Sequence, residues 1–279
     1  RSLGALAVTG NAHYQEPFKP LIGGIKFAQY NDLESVKAQI TEKTCAIILE
    51  TVQGEGGIYP AKAEFLKGIR ALCDEKDILL ILDEIQCGMG RTGSMFAYQQ
   101  YGVMPDVVTV AKALGCGIPV GAFVLNEKTA KHSLVAGDHG TTYGGNPLAC
   151  AAGVACVNYY KEANILDNVN KVGKVLGEIL EELKEKHPCI GDVRYIGLFS
   201  SIELVKDRKT KEPLVPYGKD PEGTMGKIIG MLKAKKFMTY SHENMIFVNP
   251  ALIITEEQLR EEMVKVDEVL TEVDAWLTI

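Results

Sequence analysis

Two residues of opposite charge stand at the ends of apolar runs: Asp83 closes Ile78-Leu-Leu-Ile-Leu, and Lys112 follows Asp106-Val-Val-Thr-Val-Ala. A carboxylate beyond the end of a buried strand can hold a metal, cap a helix, pair with a buried cation or simply sit in a turn, and ligands of open parallel sheets gather at that edge. A lysine between apolar neighbours is costly to keep charged unless it is neutralised or used covalently, although a lysine that snorkels to solvent is the bland alternative. Between them runs the glycine-rich Gln86-Cys-Gly-Met-Gly-Arg-Thr-Gly93.

Other reactive side chains carry less. The histidines at 13, 132, 139, 187 and 242 are too dispersed for metal-ligand spacing, and no metal is expected. His139 reads as a local structural group. Cys87 has no histidine motif beside it and reads as a packed thiol. Gly54, Gly56 and Gly57 do not form the G-x-G-x-x-G turn of a dinucleotide site. The Lys233–Lys236 cluster reads as solvated cations at a helix C-terminus.

The elements that must position Asp83 and Lys112 follow from apolar periodicity. Strands are predicted at 45–50, 78–83, 106–111 and 120–125, with an amphipathic helix at 61–77. Continuous apolar strands alternating with helices imply a mostly parallel sheet sandwiched by helices. From Asn146 a helical stretch runs to about Lys186, broken near 162–165, followed by strands at 197–205 and 245–248, a helix through Lys236 and a last helix at 256–276. Thr255-Glu-Glu-Gln258 has the form of a capping box. The expected fold is α/β, with a large domain over 1–160 and a smaller α+β domain over 161–279.

Composition narrows the partners. The 279 residues are 46% hydrophobic and 24% charged, enough for a sizeable core. A net charge of −6, with no dense Lys/Arg cluster, argues against nucleic acid or anionic lipid. No apolar run approaches the roughly 18 residues of a membrane span. Seven scattered cysteines without a C-x-x-C pair suggest a reducing cytoplasm. The chain opens at Arg1 inside a segment that reads as ordered, and an upstream piece is expected to be missing.

Four segments in order, Glu50-Thr-Val-Gln-Gly-Glu-Gly-Gly57, Leu82-Asp-Glu-Ile-Gln-Cys-Gly-Met-Gly-Arg-Thr-Gly93, Pro105-Asp-Val-Val-Thr-Val-Ala-Lys-Ala-Leu-Gly115 and His139-Gly-Thr-Thr-Tyr-Gly-Gly-Asn-Pro147, resemble the class III, ornithine-type aminotransferases of pyridoxal-phosphate fold type I. The wording of 86–93 and 144–151 is most similar to acetylornithine aminotransferases. The resemblance implies pyridoxal 5′-phosphate as cofactor and a homodimer with shared active sites. It further implies that Lys112 forms the Schiff base and moves the proton, that Asp83 pairs with the pyridinium nitrogen, that Gln86 bonds the ring 3′ oxygen, and that Glu84 and Ile85 lie in the cofactor site. Thr142 would contact the cofactor phosphate of the neighbouring subunit. Arg1 would grip a substrate carboxylate, Glu55 would gate an active-site arginine, and Thr141 would touch substrate.

Acetylornithine and ornithine enzymes carry an arginine near the C-terminus where Met245-Ile-Phe-Val-Asn-Pro-Ala-Leu252 places Ile246 instead. The stretch 197–213 is more similar to ω-amino-acid:pyruvate transaminases. The expected reaction is transfer of the terminal amino group of N-acetylornithine, or an ornithine-like donor, to 2-oxoglutarate. An ω-amino-acid:pyruvate or 4-aminobutyrate-type transaminase is the alternative. A non-catalytic fragment, lacking an upstream phosphate cradle and stacking aromatic, is the reading from a different class.

Overall fold

The computed structural model describes residues 2–277. Strand β1 (Ala46–Glu50) leads to helix α1 (Ala63–Lys76), β2 (Leu79–Asp83), β3 (Val107–Val110) and β4 (Ala122–Leu125). These strands form one sheet in the order β1-β2-β3-β4. The first three are parallel, whereas β4 runs antiparallel to β3. The sheet is therefore mostly parallel with one reversed edge. Helix α1 buries Phe65, Leu66, Ile69, Leu72 and Cys73 against Leu80 and Leu82 of β2. The other expected layer is incomplete among the described residues, since Ile48, Leu79 and Phe123 stay exposed on that face.

Helices α2 (Pro147–Glu162) and α3 (Ile165–Lys186) meet at the break expected near 162–165. Asn164 sits there at φ 50°, a left-handed conformation that Asn tolerates and that ends regular helix. A second, antiparallel sheet contains β5 (Ile190–Ile196), β6 (Phe199–Asp207), the short β7 (Ser241–His242) and β8 (Met245–Phe247). Strand β5 was not expected. Its residues Gly191-Asp-Val-Arg-Tyr195 mix charges with apolar groups, and what makes them a strand is the hairpin with β6 through Gly197.

Helices α3, α4 (Thr224–Ala234) and α5 (Glu256–Leu277) cover this sheet with the largest apolar cluster, including Leu176, Leu180, Ile202, Ile228 and Leu270. The α5 start has the anticipated reciprocal cap: Gln258 N–H donates to Thr255 Oγ1 at 3.2 Å and Thr255 N–H to Gln258 Oε1 at 3.0 Å. A third cluster, Val52, Ile58, Cys87, Ala97, Phe199, Met245 and Phe247, joins the loops beyond the first sheet to the second sheet. No helix among the described residues is long and apolar enough to cross a membrane.

Candidate active site at the carboxyl edge of the parallel strands

Register brings the chemistry together. Glu50, Asp83 and Thr109 are lateral partners on β1, β2 and β3. Partners in a parallel ladder project to the same face, so the two carboxyls stand side by side at the strand ends. Thr109 Oγ1 donates to Asp83 Oδ1 at 3.1 Å and Ile85 N–H donates to the same oxygen at 2.9 Å. Both bonds fall on Oδ1, which fixes the carboxylate plane and leaves Oδ2 to accept from another group. Ile85 thus enters the site through its backbone N–H.

Lys112 begins a short 3-10 turn just beyond β3, with φ 42°. A non-glycine residue at positive φ is strained unless its surroundings hold it, and such residues concentrate at functional sites. The structure differs from the sequence reading in one respect. Lys112 is exposed rather than enclosed by apolar neighbours, because the turn carries it past the sheet edge.

Glu50 was not singled out from sequence. Burial pushes its carboxyl above the usual carboxylate value; the Gly54 N–H at 3.0 Å works against that, nearby Asp83 pushes further up and Lys112 pushes down. The signal that could have found it is its position, since an acid ends an apolar strand there as Asp83 does.

Glu84 requires a correction. Its side chain turns away from Asp83 into the interior, where it is fully buried. Oε1 accepts from Thr51 Oγ1 at 2.7 Å and Tyr98 N–H at 3.0 Å; Oε2 accepts from Ala97 N–H at 2.8 Å and from the Cys87 thiol at 3.5 Å. With both oxygens occupied, Glu84 buttresses the turn that carries Asp83 and Gln86 instead of facing a ligand. Gly88 allows this: a Cβ there would lie 2.5 Å from the Glu84 carbonyl oxygen. Cys87 is packed, and burial followed by the Glu84 charge holds its thiol well above the usual value.

Gln86 lies against the turn that follows β1. Its Nε2 donates to Glu55 Oε1 at 3.3 Å. A Cβ on Gly54 would fall 1.6 Å from Gln86 Oε1, so only glycine leaves the amide its place. Glu55 is exposed and makes no ion pair among the described residues.

Strand parity corrects the reading of Ile246. On β8 it is 0% exposed and points into the helix-covered core. Its neighbour Phe247 faces the opposite way, packing with Val52, Ile58 and Cys87 and stacking on Tyr240 at 4.7 Å between ring centroids. The β8 side chains on the side of Val52, Ile58 and Cys87 are therefore Met245 and Phe247.

Thr141 and Thr142 are exposed in the turn before α2, which Asn146 caps by accepting from Ala149 N–H at 2.9 Å. Among the described residues neither threonine hydrogen-bonds Asp83, Gln86 or Lys112. Arg1 lies outside the described residues. The loop after Gln86 is tied to the second sheet by Arg91, whose Nη1 donates to the carbonyls of Leu198 at 3.0 Å and Pro250 at 2.6 Å. A carboxylate with one oxygen left to accept, a lysine just beyond the next strand and a glycine-lined turn can hold a protonated ring nitrogen, bond an aldehyde carbon and move a proton.

Residues 1–270 match the family described as aminotransferase class-III. The acetylornithine aminotransferase of Clostridium acetobutylicum is 53% identical over 210 residues, 75% of this chain and 54% of that protein. That of Methanocaldococcus jannaschii is 44% identical over 274 residues, covering 98% of this chain and 64% of the other. Among solved structures, a transaminase from the marine bacterium Virgibacillus superposes with TM-score 0.90 at 27% identity, over 99% of this chain and 66% of that one. The taurine:2-oxoglutarate aminotransferase of Bifidobacterium kashiwanohense, solved with PLP and glutamate, gives TM-score 0.79 at 43% identity over 83% of this chain and 52% of that one. The chain spans about half to two thirds of the length of these relatives.

Proposed function

Since the chain belongs to the class-III aminotransferase family, with its pyridoxal-phosphate fold type I, we propose that it is part of a transaminase moving the terminal amino group of N-acetylornithine or a similar donor to 2-oxoglutarate. The observation that carries this reading is Asp83 at the end of β2, with Oδ2 left to accept, and Lys112 in the turn just beyond the neighbouring strand β3.

The residues fit pyridoxal 5′-phosphate. The group supplies an electron-withdrawing ring that draws in the electrons of a substrate C–H bond. Asp83 would hold a proton on the ring nitrogen, with Thr109 and Ile85 fixing the carboxylate. Lys112 would bind the aldehyde carbon covalently and, once displaced by substrate, carry the proton as base and then acid. Gln86, steadied by Glu55, would bond the ring oxygen. Thr142 would serve the phosphate of a second copy, Thr141 the substrate and Arg1 its carboxylate.

A homodimer belongs to this reading. Tyr143 at 81% and Leu148 at 70% exposure follow Thr142 closely in the chain and present apolar surface that a second copy would cover. The same reading keeps a large domain over 1–160 and a smaller one over 161–279. Free cysteines throughout fit a reducing cytoplasm.

An ω-amino-acid:pyruvate or 4-aminobutyrate-type reaction is the second reading, favoured by one observation: no cation pairs with Glu55 among the described residues. Adding pyridoxal phosphate should give a visible absorbance band that Lys112→Ala abolishes. No such band would sink the transaminase reading and favour a non-catalytic chain. Turnover of β-alanine with pyruvate, but not of acetylornithine with 2-oxoglutarate, would select the second reading.

A further inference from the structure

Cys116 and Cys156 lie 40 residues apart in sequence, yet their sulfurs are 3.1 Å apart. Cys116 directly follows the Lys112–Leu114 turn and its cap Gly115, and takes a φ of 45°. Cys156 lies within α2 and is 7% exposed. Both thiols point at one carbonyl, that of Ala113, at 3.4 and 3.1 Å. A disulfide has an S–S length of about 2.05 Å, so the two sulfurs need approach by only about 1 Å. Among the described residues no other two thiols are in contact, and Cys73, Cys87 and Cys189 are buried singly.

We propose that Cys116 and Cys156 form a modification site, a dithiol that low-molecular-weight disulfides oxidise reversibly and that then fastens the Lys112 turn covalently to α2. The inference stands on the contact and its place in the fold, and does not depend on the reaction proposed above.

The order of attack follows from exposure. Cys116 is exposed, whereas burial, followed by the neighbouring Cys116 thiol, pushes the Cys156 thiol up to about 12. The Cys116 thiolate attacks one sulfur of the incoming disulfide, forming a mixed disulfide and releasing a thiolate that takes a proton from solvent. Cys156 then gives its proton to solvent and attacks the Cys116 sulfur, expelling the second thiol. Two protein thiols are oxidised to one disulfide and one small disulfide is reduced to two thiols. No other reactant is consumed. Ala113 loses both S–H donors in the process, and the segment between Lys112 and Cys116 becomes a tethered loop.

The test is titration of the purified chain with oxidised glutathione, followed by thiol counting in denaturant and peptide mapping without reductant. The count is expected to fall by two from the seven cysteines of the sequence, with the peptides carrying 116 and 156 linked and dithiothreitol reversing the change. Cys156→Ser should trap glutathione on Cys116, Cys116→Ser should leave Cys156 unmodified, and Cys150→Ser should behave as the parent. Amide exchange over 113–118 should slow in the oxidised form. An unchanged thiol count, stable glutathione on Cys116 of the parent, or a linkage through Cys150 would overturn the site. Unchanged exchange over 113–118 would overturn the fastening. Should a serine variant fold poorly, Cys116→Ala, judged by its thermal midpoint, gives the same readout.

Discussion

Removing the Glu84 carboxylate should destabilise the chain far more than its position next to the candidate catalytic acid suggests. In Glu84→Ala the Thr51 hydroxyl and the N–H groups of Ala97 and Tyr98 lose their acceptor inside a fully buried space. Each buried donor left unpaired costs about 1–3 kcal/mol. Water entering the vacated volume recovers part of that, so the expected loss is about 3–5 kcal/mol, a large share of the roughly 5–15 kcal/mol of a typical domain. Glu84→Gln keeps one acceptor oxygen but turns an amide NH2 toward the donors of the other, and should cost about 1–3 kcal/mol. Urea unfolding at neutral pH, followed by circular dichroism, reads both variants. A loss under about 1 kcal/mol for the alanine variant, or a larger loss for glutamine than for alanine, would refute the buttress argument.

Three further outcomes can be measured. Gly54→Ala should displace Gln86, because the new Cβ falls on its Oε1; affinity for pyridoxal phosphate should drop about tenfold, which by RT ln 10 is about 1.4 kcal/mol, with little change in urea midpoint. Ile246→Ala should lower stability by about 2–4 kcal/mol, as expected for a side chain buried in the main core, and should leave cofactor affinity intact. Asp106 governs an acid-side effect: burial pushes its carboxyl up, but the Leu80 N–H, Arg70 and Asn126 more than offset this and hold it below the usual value. Its contribution is present above the ordinary carboxylate value and is lost as pH falls through its own lower one, so Asp106→Asn should flatten the decline of unfolding free energy below about pH 4. An unchanged slope in that variant would show the Asp106 contacts to be energetically idle.

The strands that carry the candidate site are legible in the amino-acid order because they lie inside a parallel sheet. Leu79–Asp83 and Val107–Val110 are nearly unbroken apolar runs, and an acid or a lysine just beyond such a run falls at the carboxyl edge whatever else the chain does. The break at Asn164 and the cap at Thr255 are equally local, since each depends on residues within one helical turn.

Tertiary structure decided which way side chains point. Asp83 and Glu84 are adjacent acids of similar chemistry, and only the approach of Thr51, Ala97 and Tyr98 draws the second one inward. Ile246 and Phe247 are adjacent apolar residues, and the pairing of Met245–Phe247 with Ser201–Glu203 determines which enters the helix-covered core and which packs against Cys87. The same holds for Ile190–Ile196, a strand whose mixed residues acquire a buried face only from their hairpin partner. Successive strand residues face opposite sides of the sheet, so the face each side chain takes depends on register with a distant segment, and composition near the residue carries no record of that register.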